Sequence, residues 1–381
     1  MDPSLISKLP NEGISIFSKM SQLAQKHGAV NLSQGFPNFE TDRRLQELVS
    51  DAMRQGYNQY APLGGIPELR EEIAKKISRL HGKIYDVEKE VLVTNGATQA
   101  LFLAITAFVH KGDEVMVLKP AYDSYEPAIE LNGGIPVPVP LKDLNFSIDW
   151  ELLKSKITPR TRMLILNTPH NPSATVLSKS EMIKLEEMLR GTDIILLSDE
   201  VYEHIIFDQH QHYSASAFSG LAERAVVCAS FGKTFHNTGW KMGYCVAPEQ
   251  LMREIKKIQQ VNVFCVNHPF KNEFSEYLKE PKHYLELGGF YQAKRDKFLK
   301  LISGSRFYGK PSEGTYFQLL NYSRISEEGD VDFAMRLVEE SGIAAIPVSV
   351  FDGGRDLRQL RFCFAKTDET LEQAAEILVK L

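Results

Sequence analysis

The feature that most restricts how this chain can fold is a recurring pair: a short run of aliphatic and β-branched residues, followed in several cases by a helix-like segment. Such runs occupy 91–94, 115–118, 163–166, 194–198, 226–230 and 244–247. Between two of them Met182, Ile183, Leu185 and Leu189 recur at helical spacing, and Gly191 follows as a stop signal. The alternation predicts an α/β fold with a mostly parallel sheet covered by helices. In such a sheet ligands gather beyond the carboxyl ends of the strands, so residues that directly follow the runs are the first candidates for a site. After Ile343 the pattern changes to 344–350, a Gly353-Gly354 turn, a strand-like 360–364 and a closing helix over 369–378, which fits a smaller α+β domain. The segment up to Glu40 has too little periodicity to stand alone and is expected to pack against that C-terminal part. The expected division is therefore 1–40 as arm and part of the small domain, 41–284 as the large domain and 285–381 as the rest of the small one.

A chain of 381 residues is long enough to bury a sizeable core. Its 44 Lys plus Arg against 49 Asp plus Glu leave a net charge of −5 without any basic block, so there is no electrostatic footprint for nucleic acid or an anionic membrane. The first thirty residues lack a continuous apolar run, and the longest apolar stretch, 100–109, is too short to span a bilayer. Cys228, Cys245, Cys265 and Cys363 are widely spaced, form no C-x-x-C pair and mostly sit in apolar runs, which reads as reduced core cysteines in a cytoplasmic protein. No internal repeat occurs. Small molecules are the expected partners.

Three local signals follow strands. Ser230-Phe231-Gly232-Lys233-Thr234 offers a lysine beside aromatic residues, either a surface lysine or an amine desolvated enough to form a Schiff base. Its Gly-Lys-Thr triplet is not a phosphate-binding P-loop, which needs a glycine where Val227 stands. The run 194–198 leads straight into Asp199, a helix cap or the partner of a protonated ring nitrogen. At Thr94-Asn95-Gly96-Ala97-Thr98 a strand turns through glycine into a helix that starts near Gln99, where free backbone amides and the helix dipole favour a phosphate. A phosphate cradle, a carboxylate for a ring nitrogen and a Schiff-base lysine together describe pyridoxal 5′-phosphate better than any nucleotide.

Along nearly its whole length the chain also resembles the fold-type I, pyridoxal-phosphate-dependent aminotransferases of classes I and II, among them the bacterial methionine aminotransferases and the kynurenine and glutamine transaminases. The resemblance is carried by Asn31-Leu32-Ser33-Gln34-Gly35-Phe36-Pro37, Tyr60-Ala61-Pro62 with Gly64-Gly65, Asn167-Thr168-Pro169-His170-Asn171-Pro172, Ser198-Asp199-Glu200-Val201-Tyr202, Ser230 to Gly243, and Leu360-Arg361-Phe362. It implies a large domain with a mostly parallel seven-stranded sheet between helices and a smaller α+β domain built from both termini. It implies further that Lys233 condenses with the cofactor aldehyde and that Asp199 pairs with the pyridinium nitrogen. Tyr202 and Asn171 would bond the ring oxygen and Tyr122 would stack on the ring. Ala97, Thr98, Ser230 and Lys241 would hold the phosphate, joined by Tyr60 of a neighbouring subunit, so the site belongs to a homodimer. Arg361 would clamp the substrate carboxylate near Gly35 and Asn171, and an arginine inside an apolar run needs such a partner. The implied reaction is ping-pong transfer of an amino group from an amino acid to a 2-oxo acid.

Two stretches depart from the usual pattern. Ser173-Ala174 stands where many relatives carry Thr-Gly or Leu-Gly, and 268–273 reads His-Pro-Phe-Lys-Asn-Glu where small or amide residues are usual. Aspartate aminotransferases place an arginine near 261–268 for an acidic side chain; here the stretch offers Val263, Phe264 and Val266, which favours a neutral, apolar or aromatic substrate, methionine above all. Ile16 and Phe17 are candidates to close over it. Zinc, serine-hydrolase and dinucleotide motifs are absent. The alternatives on the same scaffold are a carbon–sulfur β-lyase and a non-catalytic cofactor-binding regulator.

Overall fold

The computed structural model describes residues 6–10, 12–143 and 145–381. Its main sheet has seven strands: β1 Val91–Thr94, β2 Glu114–Lys119, β3 Ile135–Pro140, β4 Thr161–Asn167, β5 Ile195–Asp199, β6 Ala225–Ser230 and β7 Gly243–Val246. Their order is β1-β7-β6-β5-β4-β2-β3. Only β7 runs against its neighbours β1 and β6, so the other six point their carboxyl ends to one rim.

Both faces of the sheet are covered, which is why the strands read as continuous apolar runs rather than as alternating ones. Leu164, Leu166, Leu196, Val227 and Ala229 join one buried cluster, and the intervening Met163, Ile165, Ile195, Leu197, Val226 and Cys228 join the other. The helix Ala97–Phe108 is apolar almost all round because it lies in the second cluster, packed on β6 and β7. Lys179–Leu189 is set by a capping box in which Ser178 and Glu181 satisfy each other's backbone N–H groups.

Strand β3 has no counterpart among the sequence runs. Its Pro136, Pro138 and Pro140 alternate with Ile135, Val137 and Val139, and the Ile135 N–H donates to Asp113 O at 2.8 Å. In a parallel strand alternate N–H groups face the same neighbour, so the prolines fall where the missing donor would point out of the sheet. The prolines are tolerated because β3 is the edge, and they leave that edge without a template for further pairing.

A second, three-stranded antiparallel sheet consists of β8 Phe317–Asn321, β9 Ile346–Pro347 and β10 Gln359–Cys363, in the order β9-β10-β8. Val30–Asn31 pairs in parallel with Ile343–Ala344, and Cys363 N donates to Leu32 O at 2.8 Å. These bonds bring Ser33, Gln34 and Gly35 beside β10. Among the described residues no helix is long and apolar enough to cross a membrane, and no group of His, Cys, Asp and Glu is arranged to hold a metal ion. All four cysteines are free; Cys265 is half-exposed and the other three are buried.

Candidate active site

The rim where the parallel strands end borders a cavity of about 330 Å³. Asn167 ends β4, Asp199 ends β5 and Ser230 ends β6, and all three line it. Gly96, Ala97, Thr98, Lys233, Lys241, Tyr122, Asn171 and Tyr202 line it as well, with Gly35 and Arg361 brought in from the N-terminal segment and β10. Most of the sequence candidates therefore share one space. Tyr60 does not: it is 84% exposed, with its ring edge-on to Phe264 at 5.4 Å. Ile16 is not on the wall either; its neighbour Phe17 is.

The helix start is built for an anion. Gly96 has φ 76°, and a side chain there would come within 3.4–3.5 Å of the Lys241 Cε and Nζ, so the ammonium lies against the first helical turn. A Cβ on Gly243 would sit 2.7–2.9 Å from Ala229 O, Ala97 N and Gly96 C, so only glycine lets β7 pass beneath this turn. The helix begins at Ala97, ahead of Gln99, which leaves the Ala97 and Thr98 amides at its open end. The Ser230 hydroxyl, which accepts from Lys233 N at 3.4 Å, faces the same cavity.

Asp199 is 4% exposed. Burial pushes its carboxyl up to about 6, against the opposing pull of the Tyr125 hydroxyl that donates to Oδ2 at 2.6 Å and of the Val201 N–H. Asn167 ties the strand end by donating its Nδ2–H to Asp199 O at 2.9 Å, and its Oδ1 accepts from Asn171 N at 2.8 Å. Tyr122 stands edge-on to Tyr125 at 5.7 Å.

Lys233 is half-buried, and desolvation lowers its amine to about 8, with Arg361 and Lys241 adding repulsion. Its Nζ donates to Tyr316 Oη at 2.9 Å and Gly35 O at 3.1 Å. Arg361 is 1% exposed and has no acidic partner: Nη1 donates to Asn171 Oδ1 at 2.6 Å, Nη2 to Ser33 O at 3.3 Å, and Nε has no partner at all. Its guanidinium lies 3.9 Å from the centre of the Phe317 ring, with Phe17 and Phe351 further out. Burial lowers its pKa. A buried guanidinium in this state wants an anion, and the cavity is the place left for one.

Sequence reasoning assigned no role to Tyr125, Tyr316 or Asn167. Tyr125 and Asn167 lie inside stretches read for other residues, so proximity to Tyr122 and Asn171 was their only signal. Tyr316 has none locally.

The aminotransferase class I and II family model matches residues 27–378. A methionine aminotransferase of Escherichia coli is 49% identical over 377 residues, covering 98% of each chain. A solved E. coli structure identified with that same activity superposes with a TM-score of 0.97 over 99% of each chain. The mouse kynurenine–oxoglutarate transaminase 1 is 33% identical over 390 residues, covering 93% of this chain and 92% of the mouse protein. With match and geometry in agreement, the chain belongs to the class I and II aminotransferases, and its activity is amino-acid transamination.

Proposed function

We propose that this aminotransferase uses pyridoxal 5′-phosphate to move the amino group of a neutral L-amino acid, methionine-like or aromatic, to a 2-oxo acid. The observation that carries the reading is the donor set of one cavity: a partly desolvated amine, a buried carboxylate, an anion-binding helix start with a lysine over it, and a buried arginine without an acid. Each suits one part of cofactor or substrate. The open Ala97 and Thr98 amides and the Lys241 ammonium at the helix start suit a phosphate, and the unpaired Arg361 Nε suits a carboxylate from outside the protein. Asp199 would keep a ring nitrogen protonated, and Lys233 would hold the aldehyde carbon. Asn171 spends its Oδ1 on Arg361, which leaves its Nδ2–H for the ring oxygen, next to Tyr202. Tyr122 would cover the ring face.

When bound, the cofactor supplies an electron sink for the pair released from the substrate Cα–H bond. The protein's share is proton handling and alignment. Arg361 fixes the substrate carboxylate so that Cα faces Lys233, and the Lys233 amine, neutral above about pH 8, takes the Cα proton. Phe17, Leu101 and Phe317 give the cavity apolar wall, and 261–268 contains no arginine, in keeping with an uncharged substrate side chain. The similarity to methionine and kynurenine enzymes supports the same class.

The reading extends to a homodimer in which Tyr60 completes the neighbouring site: it is exposed, off its own cavity, and beside the exposed Phe264. The free cysteines support a reducing, cytoplasmic setting. Borohydride reduction of the purified protein followed by peptide mapping tests cofactor and lysine together, with the label expected on Lys233. Single turnover with methionine should release the 2-oxo acid, and Lys233→Ala should abolish it. A label on another residue, or normal turnover by Lys233→Ala, overturns the assignment.

A further inference from the structure

We propose that Tyr316 is a positioning residue: its hydroxyl, together with the Gly35 carbonyl, holds the free amine of Lys233 in the place from which it takes the substrate Cα proton. The inference rests on the functional reading above and adds a residue to it. Tyr316 is fully buried and does not line the cavity; it meets the reacting groups through Lys233 and through the edge of the Tyr202 ring. Thr315, with φ 65°, turns the chain into β8 just before it, and Phe317 N donates to Thr315 Oγ1 at 3.1 Å to hold that turn.

Hydrogen counting supplies the argument. The Tyr316 hydroxyl has one hydrogen, donated to Gly35 O at 2.5 Å, so its oxygen is the acceptor for Lys233 Nζ at 2.9 Å. Lys233 Nζ also donates to Gly35 O at 3.1 Å. Seen from Nζ the two oxygens lie close together on one side, so the dock fixes the amine from that side and leaves its other face to the cavity that Lys233 lines. Desolvation, with repulsion from Arg361 and Lys241, lowers the amine to about 8, which brings its neutral form within reach for proton transfer. The rings of Tyr202 and Tyr316, 5.6 and 5.5 Å from Nζ, restrict its swing on two sides.

Tyr316→Phe removes the oxygen and keeps the ring, whose edges pack on Tyr202 at 5.2 Å and Phe317 at 5.0 Å. Without its second acceptor the amine pivots about the Gly35 bond and is no longer held for the transfer. The first half-reaction with methionine should slow by about 10- to 100-fold with unchanged methionine Kd, and the Cα-deuterium isotope effect should rise. In cofactor-free protein, the pH midpoint for acetylation of Lys233 by acetic anhydride, read by peptide mapping, should move down, because an oxygen that solvates the ammonium has gone. An unchanged half-reaction rate together with an unchanged midpoint overturns the proposal. So does a midpoint in the unaltered protein equal to that of its exposed lysines, a measurement that stands even where the variant folds poorly. Borohydride labelling separates the two levels: no label on Lys233 in the parent protein removes the functional reading and this inference with it, whereas a normal label with an indifferent Tyr316→Phe removes the inference alone.

Discussion

Lys271→Met should make the protein more stable at neutral pH and progressively less so as the pH rises. Lys271 lies on the helix His268–Leu278, in one of the two stretches that depart from the usual pattern, and is fully buried with no hydrogen-bond partner for Nζ. Desolvation lowers its amine to about 8, with Cys265 acting in the opposite direction. An unfolded lysine titrates near 10.4, so the fall corresponds to about 3 kcal/mol of folding free energy spent on the charge. The sign is fixed by proton counting. Between about pH 8 and pH 10.4 the unfolded chain holds the proton and the folded one does not, so stability rises with pH across that window and the full penalty is present below it. Methionine has similar length and no charge, and no hydrogen bond is lost with the amine. The expected gain at pH 7 is up to about 3 kcal/mol, several degrees in thermal midpoint for a chain of this size, shrinking towards about 1 kcal/mol, the value of a neutral unpaired amine, near pH 10.5. Thermal unfolding of both proteins at saturating cofactor, at pH 7 and pH 10, measures it. A variant no more stable at pH 7, or a gain that is the same at both pH values, refutes the reasoning.

Three further outcomes are expected. Arg361→Lys keeps the charge but loses the fork shared between Asn171 and the ligand, so kcat/KM for methionine should fall about 100-fold, chiefly through KM, while cofactor absorbance stays normal. Asp199→Asn should separate stability from activity. The folded carboxyl sits at about 6 against about 3.9 unfolded, so its contribution is intact below pH 4 and is lost as the pH rises through 6, a cost of about 3 kcal/mol at pH 7.5. Cofactor-free Asp199→Asn should therefore unfold later than the parent at pH 7.5 and alike at pH 4, while loaded protein turns over at least 100-fold more slowly. Ala174 occupies a left-handed conformation at φ 61° where many relatives carry glycine, so Ala174→Gly should stabilise by about 1 kcal/mol in denaturant melts without changing KM.

How far the sequence disclosed this molecule depends on whether a feature is written locally. The six apolar runs all became strands of the main sheet because residues of both parities are buried, one set under each helical layer. Asp199 and Ser230, which end two of those strands, were legible for the same reason: a carboxylate or a hydroxyl that ends an apolar run has to be explained. Strand β3 stayed hidden because its prolines suit only an edge, and which strand is the edge is a property of the assembled sheet. The N-terminal helix Ile16–His27 shows a smaller version of the problem. Adjacent helical residues differ by about 100°, so the choice between Ile16 and Phe17 turns on the helix's rotation against Ile343–Ala344 and β9, which no periodicity fixes; Phe17 faces Arg361. Tyr316 is the extreme case. It meets Gly35 and Lys233 from distances of 281 and 83 residues along the chain, and in its own neighbourhood it is an ordinary core tyrosine. Residues that contact the ligand are constrained in type by chemistry and leave a motif, whereas residues that aim those groups need only a suitable atom in the right place, so they are found by following hydrogen bonds outward from the lysine.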